Sequence, residues 1–192
     1  MADVTENEDE ITLIVEDGSC VPNANCYVSL DFADEYMKNT GRTGWASFSE
    51  NNKKSYLINA TNYIDRTYSK LGWKGIKKFH RSQSLCFPRV ELYDKDGYEV
   101  EDIPVELKKA VCEAAFISTT TSLFSVKDES GSVKKQKVDV LEVEYYSTSQ
   151  SSSNYISRFT VLDYLLSDFF KTKDSYSRVK RAIHTDMLGG RV

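Results

Sequence analysis

Few of the residue types that usually do chemistry stand at spacings that would let them do it. The two histidines, His80 and His184, lie more than a hundred positions apart in basic, polar contexts. Neither has the partner spacing of a metal ligand or of a catalytic base, so both are read as solvated side chains. Cys20, Cys26, Cys86 and Cys112 are separated by 6, 60 and 26 positions. That spacing contains no C-x-x-C half-site for zinc, and four buried, reduced thiols are expected. The carboxylates Asp94, Asp96, Glu99, Glu101 and Asp102 suggest a calcium loop at first sight. However, Gly97 falls at the fourth position from Asp94, and an EF-hand needs its glycine at the sixth. Asp96-Gly97 between β-prone runs is better read as a hairpin tip. The chain has no G-x-S-x-G, H-E-x-x-H, P-loop or G-x-G-x-x-G motif, so no catalytic residue, cofactor or metal is assigned and no enzymatic activity is expected.

Charge patterning is more informative. Across 192 residues, 25 Lys plus Arg against 29 Asp plus Glu give a net charge of −4. That modest total is unevenly distributed. Residues 1–10 carry five acidic groups and no basic one, which is unlike a secretory signal; a reducing compartment is expected. Between residues 74 and 90, Lys74, Lys77, Lys78, Arg81 and Arg89 occur with no acidic residue, interleaved with Phe79 and Phe87 and preceded by Trp73. Two readings stand side by side. Cations that neutralise phosphate beside rings that stack on bases would suit single-stranded nucleic acid, with Trp73, Lys77, Lys78, Phe79 and Arg81 as the platform. Alternatively, the rings belong to the core and the cations to a solvated loop. Residues 171–192 carry six basic groups against two acidic ones and read as an arm that orders on an acidic partner.

These groups need elements to position them, and the apolar periodicity predicts a mainly α fold. Helices are expected over residues 30–37, capped by Ser29; after Ser47 or Ser49, with a stripe of Leu57, Ala60, Ile64, Tyr68 and Leu71; from Pro104, with Leu107, Ala110, Val111, Ala114, Ile117 and Thr121; and over 158–170. Asn59, Asn62, Asp65 and Arg66 are placed on the wetter face of the second helix. Strands are expected over 11–15, over 90–93 with 98–100 as a hairpin, and over 137–146 as half of a long hairpin or an arm. The longest apolar stretches, 111–124 and 159–170, are broken by Glu113 or by Asp163 and Asp168, so no membrane helix is expected. The organisation that follows is a four-helix core with loop and β-hairpin excursions and extended terminal arms. In it, 1–10 is an acidic leader, 11–170 a single domain with insertions near 74–102 and 125–154, the latter ending in a Ser-rich connector, and 171–192 a basic arm.

The ordered motifs resemble a known family. They begin with Leu13-Ile14-Val15-Glu16-Asp17-Gly18, Pro22-Asn23-Ala24-Asn25-Cys26-Tyr27-Val28-Ser29-Leu30 and Ala33-Asp34-Glu35-Tyr36. Trp45, Leu57-Ile58-Asn59-Ala60-Thr61-Asn62-Tyr63-Ile64-Asp65 and Gly72-Trp73-Lys74-Gly75 follow, then Gln83-Ser84-Leu85-Cys86-Phe87-Pro88-Arg89, Asp96-Gly97 and Ile103-Pro104. This succession over residues 13–124 resembles the tailed-phage proteins labelled DnaT-like single-stranded DNA-binding proteins, which look like head-to-tail connector, or adaptor, proteins. The resemblance implies a virion protein of the head–tail neck, assembled in the host cytoplasm into a homo-oligomeric, dodecameric ring under the portal. Its partners would be the portal protein, a tail or stopper protein and the double-stranded DNA passing through. It also implies that the C-terminal segment docks on the portal, for which Arg178, Lys180, Arg181 and Arg191 are the candidate contacts. The Phe87-Pro88-Arg89 loop is read as structural. Single-stranded DNA binding in phage replication is the alternative function.

Overall fold

The computed structural model describes residues 10–124, 135–138, 141–144 and 159–170. It is mainly helical, as the periodicity predicts. Helix α1 spans Leu30–Asn39, α2 Glu50–Ser69, α3 Val105–Ser118 and α4 Thr160–Leu166, the last tightening into a 3₁₀ turn at Ser167–Phe169. Strands β1 (Ile76–Lys77) and β2 (Arg89–Val90) pair antiparallel with Ile76 opposite Val90. Strands β3 (Lys135–Val138) and β4 (Leu141–Glu144) form an antiparallel hairpin with Lys135 opposite Glu144. The stretch read as one strand over 137–146 therefore contains a chain reversal, which its density of Val, Leu and Tyr does not announce. The acidic leader over residues 1–9, the Ser-rich connector and the basic arm lie outside the described residues.

Local signals set most helix starts. Ser29 accepts from the Phe32 amide and Asp31 sits in the first turn of α1, satisfying orphan donors and complementing the helix dipole. Ser49 caps α2 by accepting from the Asn52 amide. Ser47 is unavailable for that role because its hydroxyl donates to the Gly44 carbonyl inside a 3₁₀ turn over Thr43–Ser47. Pro104 stands one residue before α3 as its cap rather than in the first turn. The 90–93/98–100 hairpin forms as a Tyr93–Glu99 bridge flanked by bonds from the Val100 amide to the Leu92 carbonyl and from the Asp94 amide to the Tyr98 carbonyl, while Val90 pairs with Ile76 instead. Of the 11–15 run, Val15 alone bridges, to Cys26.

Helix α3 is central: it packs against α2 and α4 and touches α1. Leu107, Ala110, Val111, Cys112, Ala114 and Ala115 are all buried, so burial extends round most of the helix rather than along one stripe. Thr121, expected to end that stripe, lies beyond the helix and is exposed. The buried Glu113 is the cost of such burial. Its Oε1 accepts from the Tyr36 hydroxyl at 2.9 Å and its Oε2 from Arg42 at 2.8 Å, and the Arg42 guanidinium also lies over Phe116. Burial and the bond to Glu113 push the Tyr36 hydroxyl pKa up. One carboxylate thereby ties α1 and the loop after it to α3.

A second polar knot holds the 74–102 excursion. The fully buried Tyr27 hydroxyl donates to Asp65 at 2.7 Å and accepts from the Cys86 and Phe87 amides, while Asp65 Oδ2 accepts from the Cys86 amide at 2.9 Å. Asp65 was placed on the wet face of α2; its carboxylate instead turns inward because two buried backbone N–H groups of an incoming loop need acceptors. Desolvation raises the Asp65 pKa, against the lowering effect of its hydrogen bonds, and burial also raises that of Tyr27. Of the four cysteines, all free, Cys26 and Cys112 are buried but Cys20 and Cys86 are only partly so.

Two outcomes are expected. Glu113→Ala should lower stability in urea unfolding by about 2–3 kcal/mol, since it strands Tyr36 and half-exposed Arg42, and Glu113→Gln should recover more than half of that. For Asp65, a folded-state pKa above the unfolded value near 3.9 means its contribution is complete at lower pH and declines as pH rises through the folded pKa. The penalty of Asp65→Asn should therefore be larger at pH 4 than at pH 7, as read by denaturant midpoints across that range.

Candidate functional site

The basic stretch folds back against the C-terminal end of α2, and packing divides its residues into two sets. Trp73 and Phe87 are core residues at 5% and 0% exposure. The Trp73 ring meets Phe87 edge-on at 5.0 Å and its Nε1 donates to Ser69, while its backbone bridges Phe170. Phe87 in turn meets Tyr27 and Phe169. These contacts leave Trp73 no open face for a base, and the reading of Trp73 as a stacking platform is corrected accordingly. Arg89 is half-buried and fully engaged by the backbone: its Nε donates to the Lys74 carbonyl at 2.7 Å, Nη2 to Gly75 at 2.8 Å and Nη1 to Cys86 at 3.1 Å. Burial lowers its pKa. It staples the two sides of the loop, consistent with a structural Phe87-Pro88-Arg89. Gly75, at φ +64°, sits so close to the Val90 carbonyl that a Cβ would collide with it.

What remains outside is Lys78, His80 and Arg81 at the surface, with Lys77 and Phe79 half-buried. Lys78 Nζ lies 5.6 Å from the Phe79 ring centroid and 4.0 Å from Asp102. Lys77 and Arg81 make no ion pair among the described residues. His80 is exposed at φ +51°. This is a small cationic strip with one half-buried ring, enough to neutralise a few phosphates or to meet an acidic protein surface.

Beside it stands the acidic hairpin. Asp94 Oδ1 accepts from the Asp96 and Tyr98 amides and the Asp94 amide donates to the Tyr98 carbonyl, so the tip is held by its own first residue. Glu91, Asp96, Glu99, Glu101 and Asp102 are exposed, and with them Tyr93 at 48% and Tyr98 at 73%. Ile76 on the cationic strip is 49% exposed, and on α4 Val161 and Tyr164 face outward, Tyr164 at 82%. Sequence reasoning did not single out these apolar side chains. The available signal was a tyrosine next to an Asp-Gly tip, where a purely structural turn gains nothing from a large ring. Among the described residues no group of three or more His, Cys, Asp or Glu is placed to hold a metal ion. Burial raises the thiol pKa of Cys26, Cys86 and Cys112, opposite to the activation a nucleophile needs. No helix of the described residues is long and apolar enough to cross a membrane. Arg178, Lys180, Arg181, Arg191 and His184 lie outside the described residues.

Comparison with known proteins adds one match. The family model described as "Putative DnaT-like ssDNA binding protein" matches residues 11–182, which include the helical core, the cationic strip and the acidic hairpin. No curated protein and no solved structure matches the chain. With nearly the whole sequence covered by that one model, the chain belongs to the DnaT-like ssDNA-binding protein family.

Proposed function

We infer that this protein works by assembling with other protein chains, as a ring-forming adaptor between the portal and the tail of a phage particle, and not as an enzyme. One observation carries the reading: of the two rings a nucleic-acid platform would use, Trp73 is in the core and Phe79 is half-buried, while Tyr93 and Tyr98 are exposed among carboxylates. Carboxylates repel phosphate, and tyrosines beside them suit a protein surface. The sequence resemblance supports the same reading. In the assembled particle the basic arm with Arg178, Lys180, Arg181 and Arg191 would dock on the portal, and acidic faces turned to the channel would let double-stranded DNA slide.

Single-stranded DNA binding is a second reading, favoured by the family's description and by Lys77, Lys78 and Arg81 around Phe79. The two separate in solution. Sedimentation of the full chain should show a mass that grows with concentration, and a titration with a labelled oligonucleotide should show no binding at moderate salt. Tight binding whose logarithm falls with log salt by about 0.7 per contacted phosphate, and which Lys78→Ala with Arg81→Ala weakens, would reverse the order of the two readings. Removing residues 171–192 should leave a folded chain that portal-containing heads no longer acquire. Normal acquisition of the truncated chain would overturn portal docking through the arm.

A further inference from the structure

We propose that the acidic hairpin of one copy docks on the cationic strip of the next, so that residues 91–102 and 74–82 are the two halves of one self-complementary interface. This rests on the assembly reading and names its contact surfaces.

Three observations support it. The first is charge. Glu91, Asp94, Asp96, Glu99, Glu101 and Asp102 against Lys95 give the hairpin 1 − 6 = −5, while Lys74, Lys77, Lys78 and Arg81 give the strip +4 with no acidic residue. Opposite fields of similar size on one chain favour a second copy over an unrelated partner, and they steer it. The second is apolar exposure at the middle of both halves: Tyr98 at 73% and Tyr93 at 48% on the hairpin, Ile76 at 49% on the strip. An aromatic anchor set in a charged rim is the usual composition of a protein contact. The third is preorganisation. The Asp94 bonds hold the tip and the buried Leu92 roots it, while Arg89 and the β1–β2 pair hold the strip, so neither half needs ordering on contact.

The geometry within one subunit sets the mode. Lys78 already approaches Asp102 at the base of the hairpin, so the two halves adjoin, and the tip residues Asp96, Gly97 and Tyr98 are exposed. A hairpin reaching a neighbour's strip leaves its own strip open for a third copy, which is a head-to-tail contact that closes by rotation.

Charge reversal tests this with exposed residues only. One chain carries Asp96→Lys, Glu99→Lys and Glu101→Lys, which takes the hairpin from −5 to +1 and makes hairpin and strip both positive. A second carries Lys78→Glu, His80→Asp and Arg81→Glu, which takes the strip from +4 to −1 and makes both negative. Circular dichroism checks that each is folded, and native mass spectrometry with sedimentation at low and high ionic strength reads assembly. Each variant alone should lose self-association by at least about a hundredfold, and an equimolar mixture should regain it because both cross-pairings, the parental one and its charge-reversed counterpart, are attractive. Tyr98→Ala in the otherwise unchanged chain should weaken association about tenfold. If both variants assemble like the parent, the interface is wrong and the assembly reading stands. If both dissociate but the mixture does not recover, the two surfaces do not meet each other and the proposal fails. If the parent chain is monomeric at every concentration and salt, the interface and the assembly reading fail together.

Discussion

The excursion that carries the cationic strip and the acidic hairpin depends on one buried polar knot. Tyr27, from the loop before α1, and Asp65, from the middle of α2, together accept the Cys86 and Phe87 amides and donate one hydroxyl between themselves. A loop inserted between helices brings peptide groups into a core with no ladder to receive them. Leaving such a donor unpaired costs on the order of 1–3 kcal/mol, so the loop can enter only where acceptors already wait. With Phe87 anchored there, Trp73 packs on it, Arg89 bonds the Lys74 and Gly75 carbonyls just before β1, and Lys74 is tied to Phe169 after α4. The cationic strip and the hairpin base follow from that sequence of contacts.

The same logic explains the two uses of charge in this molecule. Inside, carboxylates are spent on structure: Glu113 receives Tyr36 and Arg42, Asp65 receives the loop, and Glu16 accepts three amides of the 18–21 turn while almost fully buried. Each is surrounded by donors, as a buried carboxylate must be. Outside, charge is sorted by sign into neighbouring patches and accompanied by exposed rings. A small net charge of −4 conceals this arrangement. For the proposed assembly, the segregation matters more than the sum, since it sets which surfaces would attract.

Much of the architecture could be read in advance. The stripes Leu57-Ala60-Ile64-Tyr68 and Leu107-Ala110-Val111-Ala114 repeat at helical spacing and are buried as that spacing requires, and Ser29 and Ser49 cap as hydroxyls do. Errors arose where a residue's fate depended on a partner distant in sequence. Asp65 looked solvent-facing because periodicity knows only its own helix, yet its partners are 38 and 21 residues away. Val90 left the expected hairpin for Ile76 because Arg89 had found carbonyls at 74 and 75. Thr121 missed the core because α3 ends at Ser118.

The candidate site divides along the same line. By itself the sequence determined the chemistry on offer, a run of cations without counter-charges and an acidic Asp-Gly hairpin, because residue type and local spacing suffice for those. Only the tertiary structure decided which aromatic rings belong to the core and which to the surface. Trp73, Phe79 and Phe87 are indistinguishable as a linear pattern, but packing against Tyr27 and Phe169 takes Trp73 and Phe87 inward and leaves Phe79 half out. Burial is a property of what lies across the gap, and a linear pattern carries no record of that.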